Sequence, residues 1–309
     1  MNGEGEGTPI RFPAIAELEV SSLDRYPNDG EFILAITNNP TTSSDILFPA
    51  KQALLSGYFT RIALSEVQLQ WRTPNITPKN NFVYWYDEGL DADFDIELPV
   101  NFYDLSGLGV ALVANMNQAV GFPKYIVNLV NTVGTDFLEI QTNNGDHWGF
   151  QPYFPINPSP TTIRGQRFFQ TAGITRQNFY QLFPNNSVQR FGLTTNLSYT
   201  PYIDVVSDRL AKFAKVKDGM TRQFQGQTAI LARLYLTPFN TKEQYCGNHP
   251  FQMAIDYTTP KYIRWNPGEY INDFDLLLYD QFGELLWCDP VNYPEFVTEY
   301  QLTIQASET

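Results

Sequence analysis

The sequence predicts an all-β fold, and three observations support this. Short runs of alternating apolar and polar residues recur, as in RIALSEVQLQWR, where Val67, Leu69 and Trp71 share one face. Turn segments rich in Pro, Asn and Gly separate these runs. Aromatic residues reach 15% of the chain, and they favour strands. The chain therefore has the pattern of a β-sandwich.

Composition limits the possible classes of protein. The 309 residues suit one large β domain or two ordinary ones, and 43% hydrophobic residues with 17% charged residues describe a globular chain. The formal net charge of -13 disfavours direct nucleic-acid binding, which needs a basic surface. The N-terminus lacks the basic and apolar regions of a secretory signal, and no apolar run approaches the ~18 residues of a membrane span. We expect a protein that is not secreted and does not span a membrane.

Residues 1–60 differ in pattern from the rest. Their short apolar pieces alternate with turn material such as YPNDG and TNNPTTSSD, which predicts an extended N-terminal arm or a pair of added strands. We therefore expect a deletion of residues 1–55 to leave the β domain folded. In the segment WRTPNITPKNNFVYW, Pro74 and Pro78 cannot donate to a ladder, so the first regular strand should end near Arg72.

One short helix is predicted at about 104–119. Apolar residues recur there at helical spacing, at Leu105, Leu108, Leu112 and Met116, and Asp104 or Ser106 is suited to cap the start. Strands are expected at NFVYWYD, DFDIELP, KYIVNLVN, DFLEIQT, TAILARLYL, INDFDLLLYD and FVTEYQLTI, with a second, smaller helix at SDRLAKFAK.

Residues 143–200 are the least regular part of the chain and predict long loops or an insertion. About eight strands of this kind suit a jelly-roll β-sandwich, in which two sheets pack face to face. The predicted organisation is thus an arm at 1–60 and a jelly-roll domain at 61–309 that carries the loop-rich insertion.

The sequence offers no catalytic, cofactor-binding or metal-binding residues that we would assign. His147 and His249 stand outside any metal-binding spacing, and no GxSxG, Walker A or GxGxxG sequence is present. The two cysteines, Cys246 and Cys288, indicate free thiols, with a single bridge between them left open. We expect no cofactor and no enzyme activity.

Two features leave other functions open. On a strand, Asp93, Asp95 and Glu97 would share one face, which indicates a solvated surface, a cation or basic-partner site, or the carboxylates of a glycoside-active enzyme. The spacing fails as a calcium loop because Ile96 replaces the required Gly. The second feature is a group of aromatic residues, Trp148, Tyr153 and Phe154. They could be the contacts of a carbohydrate-binding β-sandwich module, or they could equally fill a hydrophobic core.

Several short segments of the chain are similar to one family of viral proteins. The chain resembles jelly-roll minor capsid proteins, of penton or triplex (cement) type, from virophages, Polinton-like viruses and adenovirus-like double-stranded DNA viruses. The matches lie between residues 61 and 304, and the turn that often reads P-x-G-x-Y has Asn101 in place of Gly. The matching residues are Pro74, Asn75, Ile76, Asn80, Asn81, Leu98, Pro99, Tyr103, Leu105, Leu108, Ile271, Phe274, Leu278, Asp280, Gly283 and Leu286.

The resemblance implies a structural role in an icosahedral virion. It implies a homopentameric penton at the vertices as first choice, in contact with the major capsid protein, other copies of itself and other minor capsid proteins. A triplex or cement protein between capsomers is the alternative. Synthesis would take place in the cytoplasm or nucleus of the host cell.

Overall fold

The computed structural model describes residues 15–21, 33–37, 45–47, 58–132, 135–151, 160–174, 187–191, 197, 200–213, 229–236, 249–267, 269 and 274–308. Within these residues no helix is long and apolar enough to cross a membrane. The helices are α1 (Leu105–Val120) and α2 (Pro160–Ala172). The strands are β1 (Ile15–Ser21), β2 (Ile33–Thr37), β3 (Asp45–Leu47), β4 (Arg61–Trp71), β5 (Phe82–Asp87), β6 (Ala92–Glu97), β7 (Tyr125–Thr132), β8 (Thr135–Thr142), β9 (Trp148–Phe150), β10 (Val188–Phe191), β11 (Tyr202–Val206), β12 (Ile230–Tyr235), β13 (Phe251–Asp256), β14 (Ile263–Arg264), β15 (Phe274–Tyr279) and β16 (Glu299–Ser307).

The chain divides into two compact units. The first contains Met1–Trp71, Tyr202–Tyr235 and Gln252–Thr309, and the second contains Arg72–Pro201 and Leu236–Phe251. The second unit is therefore mostly one insertion, which leaves the first unit after β4 and returns to it at β11. The sequence predicts a smaller insertion at 143–200, whereas in the structure the second unit begins at Arg72.

The first unit has jelly-roll topology. One sheet has the order β1-β16-β4-β13, with β14 on β4, and the other has the order β12-β11-β15-β2-β3. Leaving aside the short β3 and β14, the eight main strands pair first with last (β1 with β16), second with seventh (β2 with β15), third with sixth (β4 with β13) and fourth with fifth (β11 with β12). This is the pairing that results when one long antiparallel hairpin rolls up into a two-sheet sandwich. The predicted jelly-roll fold is confirmed.

Both sheets of this unit bury apolar side chains. In β4, Val67, Leu69 and Trp71 are buried as predicted, and the strand ends at Trp71. In the other sheet Val205 and Leu278 are buried, and the two sheets contact each other between β12 and β4. The core of the jelly roll lies between them.

Two strands in the segment predicted as an arm belong to the jelly roll. β1 pairs with β16 along its whole length, from Ile15 opposite Ser307 to Ser21 opposite Gln301. β2 pairs with β15 and, in parallel, with β3. This is the "added strands" alternative. Local patterns could not show it, because the partners of these strands lie at the other end of the chain.

The second unit holds two three-stranded sheets, with orders β6-β5-β9 and β10-β8-β7, and both helices. Its core joins residues of both sheets and both helices, including Trp85, Leu112, Ile140, Trp148 and Phe168. The helix predicted at 104–119 is confirmed as α1. The structure has α2 as a further helix that the sequence did not predict, and residues 208–213 of the predicted SDRLAKFAK helix form turns. Helix α2 could not be predicted from its sequence, PTTIRGQRFFQTA, because its Pro, Thr and Gly residues have low helix propensity.

Helix α1 begins and ends as its sequence indicates. The Asp104 side chain accepts a hydrogen bond from the Gly107 backbone N–H at 2.6 Å, and Gly121 closes the helix with φ 89°. At Gly109 an added Cβ would lie 2.8 Å from Leu138 and 2.9 Å from Val127, so only glycine lets α1 approach β7 and β8 this closely.

The three asparagines of the segment between β4 and β5 are buried and hydrogen-bonded to backbone groups. Asn75 accepts from the Tyr103 backbone N–H at 2.9 Å and donates to the Tyr103 carbonyl at 2.7 Å. Asn80 donates to the Asn75 carbonyl at 2.8 Å, and Asn81 donates to the Leu98 carbonyl at 2.9 Å. The asparagines therefore replace the ladder that the prolines interrupt, and they fix the start of the second unit.

Candidate functional site

The strand pair β5–β6 exposes the acidic residues that the sequence singles out. Asp93, Asp95 and Glu97 alternate with half-buried residues and lie exposed on one face of β6, as predicted. Glu97 pairs with Arg164 of α2, with an N–O distance of 2.9 Å. Among the described residues, no group of three or more His, Cys, Asp or Glu side chains is placed to hold a metal ion.

A second charged group lies at the end of β5 and is buried. The Lys124 Nζ is 2.7 Å from Asp87 Oδ1 and 2.8 Å from Asp146 Oδ2. The Lys124 side chain is 1% exposed, Asp87 is 0% exposed and Asp146 is 30% exposed. Three separate segments thus meet at this site: the last residue of β5, the residue before β7, and the turn between β8 and β9.

Aromatic side chains enclose the buried carboxylate. The Tyr125 hydroxyl donates a short hydrogen bond to Asp87 Oδ2, and Trp85 Nε1 donates to the Tyr125 oxygen at 3.0 Å. Since an indole N–H can only donate, the phenolic hydrogen of Tyr125 is directed at Asp87. The Leu90 backbone N–H adds a bond of 3.1 Å to Asp87 Oδ1. Trp148 lies against Tyr125, with ring centroids 5.3 Å apart.

The local environment shifts three pKa values at this site. Burial would lower the pKa of Lys124, but the hydrogen bonds to Asp146 and Asp87 outweigh burial and raise it. The hydrogen bond from Lys124, and then that from Asn144, lowers the pKa of Asp146. Burial, followed by the hydrogen bond to Asp87, raises the pKa of Tyr125. Lys124 therefore rests as an ammonium between two carboxylates.

Two small details of sequence place Asp146. Gly89 has no side chain, and a Cβ added there would lie 2.1 Å from Asp146 Oδ2. Asn144 donates to Asp146 Oδ2 at 2.7 Å and accepts from the Asp146 backbone N–H at 3.2 Å. The turn between β8 and β9 thus directs the Asp146 carboxylate toward Lys124.

Sequence analysis did not find this site. A signal was present, because Lys124 is the only charged residue between Leu105 and Thr132. A lone charge in so long an uncharged stretch is expected to be paired when the stretch folds. Its partners could not be read from the sequence, because they come from segments that only the fold brings together.

The other singled-out residues form no common site within the described residues. Trp148 is fully buried, so it cannot be the sugar contact of a binding module, and Tyr153 and Phe154 lie outside the described residues. His147 is exposed, with its Nδ1 3.6 Å from Glu88. Cys288 is buried, and Cys246 also lies outside the described residues, so their pairing stays open.

The second unit also exposes large apolar side chains along one sheet edge. β7 is the edge of its sheet, and around it Phe122, Ile126 and Leu129 are 44–49% exposed. We call these three residues the β7 edge. Of the described edge strands longer than four residues, β7 alone carries no charged residue. Charged residues normally protect such edges from pairing with other chains.

The fold defines the class of this protein as a jelly roll with a large insertion between its third and fourth main strands. No family model and no curated protein sequence matches the chain.

Two solved structures are similar to it over nearly their whole length. The crystal structure of the mavirus penton protein is 15% identical, with a TM-score of 0.47 over 97% of this chain and 100% of that one. A chain of the Sputnik virophage structure, determined by cryo-EM, is 12% identical, with a TM-score of 0.43 over 96% of this chain and 98% of that one.

Proposed function

We propose that this chain is a minor capsid protein of an icosahedral double-stranded DNA virus, and that it forms the homopentameric penton at the vertices. The observation that carries the proposal is the strand pairing of the first unit, which runs first with last through fourth with fifth. Viral capsid proteins, lectins and cupins share jelly rolls of this kind. The sequence resemblance between residues 61 and 304 favours the capsid protein among them.

A pentameric ring requires two different surfaces on each copy, because its contacts are heterologous. We assign the β7 edge to one of these contacts. Copies that each carry a net charge of -13 repel one another, and the repulsion is weakest where the facing surface is uncharged and apolar. β7 offers such a surface, since within the described residues it is the last strand of its sheet.

The proposed partners are neighbouring copies, the major capsid protein and other minor capsid proteins, and the proposed location is the virion. The role is structural and involves no catalysis. A triplex or cement protein between capsomers is the alternative role within the same class. The carbohydrate-binding alternative loses its main contact, since Trp148 lies in the core.

Native mass spectrometry of the purified full-length chain tests the oligomeric state. We expect the purified chain to be a pentamer. A trimer would favour the triplex role, and a chain that stays monomeric at all concentrations tested would contradict the penton assignment.

A further inference from the structure

We propose that Lys124 and Asp87 join in an intramolecular amide bond after the chain has folded. The two groups are already in contact, with Lys124 Nζ 2.7 Å from Asp87 Oδ1, and both are almost completely buried. An amine held in contact with a carboxyl group reacts as if it were at very high concentration, with effective molarities of about 10⁵–10⁸ M for well-oriented pairs. Condensation would turn this contact into a covalent link between β5 and β7.

The reaction balances without any other reactant. The ammonium of Lys124 passes one proton to Asp146, whose Oδ2 lies 2.8 Å from Nζ. The free amine attacks Cγ of Asp87 and forms the C–N bond. The Cγ–Oδ1 bond then breaks, and Oδ1 leaves as water with one proton from the attacking nitrogen and one returned by Asp146. An ammonium and a carboxylate become a neutral amide and one water molecule, and Asp146 ends as it began.

The surrounding side chains suit each role in this sequence. Tyr125 donates to Asp87 Oδ2, where negative charge builds up during the attack, and Trp85 holds that hydroxyl in place. Of the two carboxylates that contact the Lys124 ammonium among the described residues, Asp146 is the partly exposed one, and its position depends on the absence of a side chain at Gly89. Because Lys124 rests as an ammonium, the first proton transfer should make the reaction slow, so we expect the bond to form gradually after folding.

The product also fits the buried site better than the ion pair does. Removing two charges from water is costly, and a neutral amide ends that cost for Lys124 and Asp87. The amide oxygen, formerly Oδ2, still accepts from Tyr125, and the amide N–H is placed to donate to Asp146. Exclusion of bulk water from the site protects the new bond from hydrolysis.

Intact-mass measurement of the denatured full-length chain tests the bond directly. The wild-type mass is compared with that of Lys124→Arg, which keeps the positive charge but leaves no amine to condense. We expect the wild type, followed until its mass is constant, to fall short of its sequence mass by one water molecule, while Lys124→Arg shows no such deficit. Any processing of the chain ends affects both proteins equally. A protease digest of the wild type should contain a branched peptide that joins residues 87 and 124.

Two further variants report on the chemistry. Asp87→Asn should lose one ammonia molecule instead of water, since its amide can be attacked in the same way. Asp146→Asn should slow the loss of water, because the acceptor of the first proton is gone. A folded wild type that keeps its full sequence mass to the end of the incubation overturns the proposal, whatever the variants do.

Discussion

At the scale of single residues, Lys124 is the side chain in the described part of the second unit whose burial most requires electrostatic compensation. It is buried, it is charged, and both of its carboxylate partners depend on it for compensation. The site is held by details as small as the missing side chain of Gly89. Substitutions here therefore separate ion pairing from simple packing.

Replacing Lys124 by Met removes the ammonium but keeps much of the apolar volume. Because Asp87 would remain buried without a cation, we expect a loss of about 3–5 kcal/mol in the free energy of unfolding. Guanidinium titration of the freshly folded full chain, before the amide bond has formed, measures this loss. The matched control is Arg190→Gln, which removes an exposed pair with Glu139 and should cost at most about 1 kcal/mol. Equal effects of the two changes would contradict our description of the site.

Gly89→Ala should displace Asp146 from Lys124. The new Cβ would overlap the Asp146 carboxylate, and such overpacking typically costs about 1–3 kcal/mol. The control is Gly165→Ala in α2, where an added Cβ meets only ordinary contacts at 3.7 Å and alanine favours the helix by about 1 kcal/mol. Thermal unfolding should show a lower Tm for the first variant and an equal or higher Tm for the second. A Gly89→Ala protein as stable as the wild type would mean that Asp146 is not held where the structure has it.

The raised pKa values of Lys124 and Tyr125 predict a loss of stability in alkali while the amide bond has not formed. A raised pKa in the folded state contributes stability that is fully present below the ordinary values of 10.5 and 10.0, and this stability is lost as pH rises beyond them. We expect the denaturation midpoint of freshly folded protein to fall above about pH 10. Tyr125→Phe should reduce the slope of this fall, and an unchanged slope would exclude Tyr125 as a contributor.

At the scale of strands and helices, the sequence was most informative where the pattern is local. Local strand patterns predicted β4 through β8, β12, β15 and β16, and helical spacing with the Asp104 cap predicted α1. The antiparallel partners of β1 and β2 could not be predicted, since they lie more than two hundred residues away along the chain. The second helix failed for another reason: tertiary contacts override its weak propensity.

Removal of β1 should now have a larger effect than the sequence suggested. β1 covers β16 along seven residue pairs and buries Val20, so its loss leaves an edge strand and part of the core open to water. We expect a chain that begins at residue 22 to unfold without a cooperative transition in calorimetry or to aggregate. A chain that begins at residue 15 keeps every described strand and should unfold cooperatively. Cooperative unfolding of both would show that β1 is dispensable, as an arm would be.

At the scale of the whole molecule, the sequence indicated the architecture but not its boundaries. The jelly roll is assembled from three separate pieces of chain. In sequence order, the insertion lies between its third and fourth main strands. The sequence predicts that β4 ends near Arg72, but no local signal marks this point as the exit from one unit. Assembly surfaces were harder to predict, since they require knowing which edge strand stays uncovered.

Leu129→Lys tests the assembly role assigned to the β7 edge. Leu129 is 49% exposed, so a lysine should change folding stability by no more than about 0.5 kcal/mol, while a charge at an apolar contact should weaken association at least about tenfold. Sedimentation velocity over a concentration series measures this. Tyr262→Lys, at a site 47% exposed in the other unit, is the matched control. Identical association by both variants would remove β7 from the interface.

The penton assignment is tested most directly by cryo-EM of purified virus particles, with the position of this chain determined in the symmetry-averaged map. We predict five copies around each icosahedral five-fold axis, with the eight main jelly-roll strands recognisable in every copy. Density for the chain between capsomers away from the vertices, or its absence from the particles, would contradict the assignment.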